Sequence, residues 1–335
     1  MSVIDTLERP LRDLRISVTD RCNFRCTYCM PRQVYDRAYQ FMPKEQLLTF
    51  EEIKRVAEIF IGLGVEKIRL TGGEPLMRRD LESLIEMLAS IPGIKDLTLT
   101  TNGSFSLQRV QGLKSAGLSR ISVSLDSLDD VVFKAMNDVD FPVQRVLDWI
   151  EASADAGLSP VKVNMVVKRG LNEDSILPMA RYFKEKGHIL RFIEYMDVGH
   201  TNGWRLDDVV PAADIVKRIN AELLIQPAEA NYRGEVANRY RYVDGSGEIG
   251  LIASVTQPFC GDCTRMRVSA DGKLYTCLFA VNGHDLRSLL RDGATDEQII
   301  QTISGVWGQR EDRYSELRSL QTDEISKVEM SYIGG

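Results

Sequence analysis

A chain of 335 residues with 44% hydrophobic and 27% charged residues can bury a substantial core. No run in it approaches the ~20 consecutive apolar residues that a membrane helix needs. The formal charge of −6 excludes a general nucleic-acid binder, which depends on basic surface to displace counterions, but not a small anionic substrate held by local Arg and Lys. Its six cysteines fall in two tight groups, unlike a disulfide framework, and Met1 to Arg15 is mixed and charged, unlike a signal peptide. A cytoplasmic enzyme, with neither membrane nor nucleic acid among its partners, is expected.

Short apolar runs alternate with helical patterns along the first two thirds of the chain. Leu14 to Val18 leads into Asp20-Arg21-Cys22-Asn23-Phe24-Arg25-Cys26-Thr27-Tyr28-Cys29, and Lys67 to Thr71 leads into Gly72-Gly73-Glu74-Pro75. Further strand-like runs follow at Asp96 to Thr100, Ile121 to Leu125, Val161 to Val167 and Ile189 to Ile193. Between them, Ile53, Val56, Ala57, Phe60 and Ile61 form one apolar helical face, and Thr49 with Glu52 predicts a capping box at its start. Asp80 and Ser106 are placed to cap the next two helices, and later ones fit Val146 to Ile150, Ile176 to Phe183 and Ile215 to Leu224. The alternation predicts an α/β fold, an incomplete (β/α)6 TIM-like barrel with its active groups at the C-terminal ends of the strands.

At about Ala221 hairpin signals replace this rhythm. Val236 to Val243 turns at Asp244-Gly245-Ser246-Gly247 into Glu248 to Val255, and Arg265 to Ala270 turns at Asp271-Gly272. The expected division is therefore 1–220, the partial barrel, and 221–335, a C-terminal α+β region.

The chemistry sits in the cysteines. Cys22, Cys26 and Cys29 crowd three thiols onto one short loop, and Cys260, Cys263 and Cys277 repeat the count in the C-terminal region. An iron–sulfur cube takes four ligands, so a loop offering three leaves one iron open to another molecule. Structural zinc is the competing reading of C-x2-C spacing, but it wants four protein ligands. The three histidines, His188, His200 and His284, all lie outside both motifs. Arg15 and Arg69 fall on strands, where an inward charge is costly without an anion, and Arg265 and Arg267 flank Met266 so that they share one strand face.

The first loop resembles that of the radical S-adenosylmethionine enzymes. Together with Phe259 to Phe279, Thr71 to Leu76, Ser122 to Leu128 and the terminal Gly334-Gly335, the chain from about Arg9 onward resembles the GTP 3′,8-cyclases of molybdenum cofactor biosynthesis. The resemblance implies two 4Fe-4S clusters, the first held by Cys22, Cys26 and Cys29 and binding S-adenosylmethionine, the second held by Cys260, Cys263 and Cys277 and meeting the guanine. It places Tyr28, Gly73, Ser124 and Met196 around S-adenosylmethionine. Arg15, Arg69, Thr100, Lys162, Arg191, Arg265, Met266 and Arg267 fall around GTP. It further implies that a 5′-deoxyadenosyl radical removes the ribose 3′ hydrogen and that the ribose carbon closes onto C8, with Arg265 and Arg267 assisting the final reduction or protonation. Gly334 and Gly335 would thread into the cavity to position substrate. The implied partners are a flavodoxin- or ferredoxin-type reductant, the downstream cyclic pyranopterin monophosphate synthase and a second copy of the chain. Two rivals remain open on sequence grounds: a radical enzyme that modifies peptides, and a zinc-stabilised binding module.

Overall fold

The computed structural model describes residues 3–318 and 327–335. Its first half is a run of strand–helix units: β1 (Asp13–Ser17), α1 (Phe50–Gly62), β2 (Lys67–Thr71), α2 (Leu81–Ala89), β3 (Asp96–Thr101), α3 (Gln108–Ser115), β4 (Arg120–Ser124), α4 (Asp130–Asn137), α5 (Val143–Asp155), β5 (Lys162–Val167), α6 (Ile176–Lys186), β6 (Ile189–Glu194) and α7 (Ala212–Asn220). The remainder is β7 (Ile225–Ala228), β8 (Asn238–Tyr242), β9 (Glu248–Ile252), β10 (Arg265–Val268), β11 (Lys273–Tyr275), β12 (His284–Asp285), α8 (Arg287–Arg291), α9 (Asp296–Gly308), α10 (Tyr314–Leu317) and α11 (Met330–Ile333).

Among the described residues the twelve strands belong to one sheet, ordered β12-β11-β10-β1-β2-β3-β4-β5-β6-β9-β8-β7. β1 to β6 are parallel neighbours in sequence order, the expected six-unit open barrel. The C-terminal strands join both edges: β10 pairs parallel with β1, and β9 parallel with β6. The alternation that makes β1 a strand also assigns its two faces. Leu14 and Ile16 are buried against the helices while Arg15 between them faces the barrel interior.

The capping box at α1 is present in full: Thr49 Oγ1 accepts from Glu52 N at 3.1 Å and Glu52 Oε2 from Thr49 N at 2.7 Å. Two other expected caps differ. Asp80 precedes α2 with φ 57° and makes no side-chain cap, and α3 begins at Gln108, so Ser106 lies outside it and Leu107 holds the cap position without a side-chain bond. The helix expected to reach Leu224 stops at Asn220, whose Oδ1 accepts from Ile225 N at 2.9 Å and turns the chain into β7. Among the described residues no helix is long and apolar enough to cross a membrane.

Candidate functional site

Because β1 to β6 are parallel, the barrel has two distinct mouths. The first cysteine loop leaves the C-terminal end of β1. Cys260 and Cys263 precede β10, which runs parallel to β1 with Asp13 opposite Arg265, and Cys277 follows the antiparallel β11. The second triplet therefore lies at the N-terminal mouth, and one cavity of about 520 Å³ is lined by all six cysteines. That volume falls in the usual ~300–1,000 Å³ range of ligand sites.

The first loop is built by backbone contact. Gly73 N donates to Thr19 O and Glu74 N to Arg21 O, both at 2.8 Å. A Cβ on Gly73 would lie 2.4 Å from Arg21 O, and one on Gly72, at φ 155°, 2.5 Å from Thr19 O. Only glycine allows the two loops to touch this closely. Glu74, fully enclosed, accepts from Leu76 N, Thr101 Oγ1 and Asn102 N at 2.7 to 3.0 Å, yet burial still lifts its pKa to about 7. Tyr28 Oη donates to Asp126 Oδ2 at 2.8 Å, and Asp126 also accepts from Val166 N. Arg25 Nη1 donates to the carbonyl of Cys22 at 2.8 Å and Cys26 Sγ to Asn137 Oδ1 at 3.1 Å. Burial raises all three thiols, Cys22 to about 12, so they need a metal's positive charge to ionise.

The second loop adds guanidiniums, although burial still raises its Cys277 thiol to about 12. Arg265 Nη2 donates to Cys263 Sγ at 3.2 Å, Arg9 Nη1 to the carbonyl of Cys260 at 2.7 Å and Arg310 Nη1 to that of Cys263 at 2.7 Å. Burial raises the Cys263 thiol, but Arg265 and Arg310 outweigh it and bring the pKa down to about 6. Among the described residues no three His, Cys, Asp or Glu side chains are arranged to hold a single metal ion. Two sets of three free thiols opening onto one cavity have the donor chemistry of clusters with a vacant iron position.

Between the mouths lies a belt of cations. The register places Arg15 opposite both Arg69 and Arg267, three adjacent strands presenting arginine at one level. Arg69 Nη1 donates to Thr100 Oγ1 at 2.8 Å and Ser122 Oγ at 3.1 Å, and Arg191 Nη2 to Ser122 Oγ at 3.0 Å. Among the described residues, no carboxylate lies within 4.0 Å of Arg15, Arg69, Lys162, Arg191, Arg265 or Arg267. Burial, then crowding by the other cations, pushes Lys162 down to about 7 and Arg191 to about 9, and Arg15 well below its usual range. Six enclosed cations without an acid form a site made for a polyanion.

The remaining expected residues divide. Ser124 and Met196 line the cavity. Met266 does not: its side chain is fully buried in the hydrophobic core, because Arg265 and Arg267 occupy the opposite face of β10. A place for Met266 in the GTP site is therefore one that its main chain would fill. The C-terminal tail does enter the barrel. Gly335 lines the cavity, Gly334 O accepts from Arg267 Nη1, and Gly335 O lies 3.5 Å from Thr71 Oγ1.

Residues 16–183 match the radical SAM superfamily and residues 188–316 the molybdenum cofactor synthesis C family. A GTP 3′,8-cyclase of Acidothermus cellulolyticus is 53% identical across 99% of this chain and 98% of its own length, and one of Staphylococcus aureus is 49% identical with the same coverage. The chain belongs to the GTP 3′,8-cyclase family. It is a radical S-adenosylmethionine enzyme, and family membership carries an iron–sulfur cluster and S-adenosylmethionine as cofactors. Among solved structures, Streptococcus suis SuiB bound to S-adenosylmethionine superposes with TM-score 0.61 at 15% identity over 96% of this chain and 78% of that one. Native anSMEcpe with bound AdoMet gives 0.55 at 16% identity over 95% and 93%. These two share the fold.

Several site residues escaped the sequence reading. Lys67 and Arg120, at the N-terminal ends of β2 and β4, line the cavity beside Asp13 and Asp96. Tyr232, in the loop before β8, accepts from Lys67 Nζ at 3.0 Å. The signal for the first two is a charged residue opening each strand, the position that Lys162 takes in β5. Asp197 receives Tyr314 Oη at 2.6 Å, Arg318 Nε at 2.9 Å and Lys327 Nζ at 2.7 Å. No local motif marks it.

Proposed function

We propose that this chain converts GTP to (8S)-3′,8-cyclo-7,8-dihydroguanosine 5′-triphosphate, the first step of molybdenum cofactor biosynthesis, with both reactants enclosed in the one barrel cavity. The observation that carries the reading is the set of six cations lining the cavity, with no acid partner among the described residues, lying between two three-cysteine loops. Cys22, Cys26 and Cys29 hold one 4Fe-4S cluster and Cys260, Cys263 and Cys277 a second. When bound, the clusters and S-adenosylmethionine supply the one-electron chemistry that opens the ribose 3′ C–H bond.

The protein's own part is binding, orientation and exclusion of water. Tyr28, fixed by its bond to Asp126, flanks the adenine of S-adenosylmethionine, with Gly73, Ser124 and Met196 completing that pocket. Arg15, Arg69, Lys162 and Arg191 receive the triphosphate, and Thr100 orients Arg69 toward it. Arg265 and Arg267, with the main chain of Met266, reach the base and ribose from β10 and assist the closing reduction or protonation. Gly334 and Gly335 narrow the cavity over the substrate. The catalytic barrel spans 1–220 and the second cluster belongs to 221–335. A flavodoxin- or ferredoxin-type protein supplies electrons, the cyclic pyranopterin monophosphate synthase consumes the product, and the enzyme works in the cytoplasm as a homodimer.

The test is to incubate anaerobically reconstituted protein with GTP, S-adenosylmethionine and dithionite, and to quantify 5′-deoxyadenosine together with the cyclised nucleotide. Iron-replete protein that yields neither, or 5′-deoxyadenosine equally well without GTP, refutes the reading.

A further inference from the structure

Behind the second cysteine loop lies a cluster of charges that the reaction itself does not employ. Asp5, Arg9 and Arg310 are almost wholly buried, with side-chain exposures of 0%, 0% and 2%. Asp5 Oδ2 bridges Arg9 Nε at 2.6 Å and Arg310 Nη1 at 3.4 Å, while Asp5 Oδ1 accepts from Leu7 N and Arg9 N. Each arginine then reaches forward. Arg9 Nη1 donates to Cys260 O at 2.7 Å and Asp312 O at 2.8 Å, and Arg310 Nη1 donates to Cys263 O at 2.7 Å. Trp307 seals the back, its Nε1 on Arg9 O at 3.0 Å and its ring 4.5 Å from the Arg310 guanidinium carbon.

Two guanidiniums against one carboxylate leave a net positive charge in a site without solvent. Asp312 Oδ2, 3.3 Å from Arg310 Nε, is one-third exposed and so only partly offsets it. Among the described residues Arg9 Nη2 has no hydrogen-bond partner. Buried cations are costly unless something anionic faces them, and here that is the cysteine loop, with Arg265 adding a third guanidinium from the cavity side. The first loop is held differently: its buried neighbours are the carboxylates of Glu74 and Asp126, and the guanidinium of Arg25 donates to carbonyls and not to sulfur.

Reducing a three-thiolate cluster adds one negative charge to an already anionic group, so fixed positive charge favours the reduced form and fixed negative charge opposes it. We propose that the Asp5–Arg9–Arg310 triad holds the second cysteine loop and raises the reduction potential of its cluster above that of the first. At a reductant poise between the two midpoints, the substrate-side cluster is reduced while the one that meets S-adenosylmethionine stays oxidised. These are positioning residues that act through the backbone and the field, and the inference rests on the two-cluster reading above.

The experiment is an EPR-monitored redox titration of the reconstituted full-length protein, with iron and sulfide counted in parallel. The C22A/C26A/C29A and C260A/C263A/C277A variants assign each signal to its loop. A C22A/C26A/C29A protein without a cluster would sink the two-cluster reading itself, and that outcome is visible before any potential is measured. Given two clusters, the higher midpoint belongs to the second loop. R310Q lowers it, D5N raises it, and R310K leaves it close to wild type, with the first cluster's midpoint unmoved. Equal or reversed midpoints in the wild type overturn the proposal. So do shifts of the same sign in R310Q and D5N, or loss of the second cluster's iron in all three variants, since R310K retains the charge.

Discussion

The tail offers the sharpest steric test. Gly334 has φ 76° and ψ 120°, and an added Cβ would lie 2.4 Å from Thr71 Cγ2. Holding alanine in that backbone conformation costs about 1–3 kcal/mol. Forcing the methyl against Thr71 adds about 1–3 kcal/mol. The tail need not absorb the whole sum, since it can undock, so the loss saturates at its docking free energy. At ~1.4 kcal/mol per tenfold, even the low end of the two terms reduces the docking equilibrium constant by roughly 30-fold. Gly334→Ala is therefore expected to lower cyclisation, by as much as the docking constant falls, while both clusters remain. Thr71→Ser in the same chain deletes Cγ2, leaving Oγ1 at 3.1 Å and Cβ at 3.3 Å as the nearest atoms. It relieves the clash but not the backbone strain, so the double variant recovers tenfold or more of the loss without reaching wild type. Hydrogen exchange of residues 327–335, read beside cyclised product and 5′-deoxyadenosine, checks both effects. Wild-type turnover in Gly334→Ala, or no recovery on adding Thr71→Ser, would refute the steric argument.

Asp197→Asn removes the charge that gathers Tyr314, Arg318 and Lys327, so residues 327–335 should exchange at least tenfold faster and cyclisation should fall with them; unchanged exchange rejects Asp197 as an anchor of the tail. Gly73→Ala drives a methyl into Arg21 O and is expected to halve the iron content by displacing the first cysteine loop, with the second cluster's EPR signal intact. Lys162, lowered to about 7 by burial and then by Arg191 and Arg120, holds its proton less well in the empty cavity than in the unfolded chain. The nucleotide-free protein therefore gains stability as pH rises from about 7 toward the ordinary lysine value of 10.5, and binding a triphosphate restores the proton. Calorimetry at pH 8 in buffers of different ionisation enthalpy should register proton uptake with GTP, absent in Lys162→Met.

The parts of this molecule that were legible in the sequence are those written in local pattern. Six strands, the Thr49–Glu52 capping box and the two hairpins follow from periodicity and turn chemistry, and the two thiol triplets follow from spacing. Asp80 and Ser106 misled because a capping residue type does not fix the backbone angle or the first helical residue, which packing decides. The N-terminal mouth stayed hidden for a different reason. Lys67, Arg120, Asp197 and the Asp5–Arg9–Arg310 triad acquire meaning only from partners far away in sequence, such as the 305 residues separating Asp5 from Arg310. Met266 was placed correctly on its strand, and the alternation that turned Arg265 and Arg267 inward is what turned it away.

That alternation explains why the C-terminal region has to share the barrel's sheet. β10 takes Arg265 and Arg267 into register with Asp13 and Arg15, one strand from Arg69, so the arginine belt is continuous across three strands drawn from both ends of the chain. A slip of one residue would turn Met266 toward the substrate and both arginines into the hydrophobic core. Buried, unpaired guanidiniums there would cost several kcal/mol each. The register is held by the apolar side: Met266 and Val268 pack in the same core as Leu14 and Ile16. The hydrophobic face of β10 thus sets the charge geometry of its other face. A polar change at Met266, which touches no ligand through its side chain, should then act on nucleotide affinity as strongly as on stability. Met266→Lys would reverse the preferred face, and tight GTP binding by that variant would show that the belt does not depend on the pairing of β1 with β10.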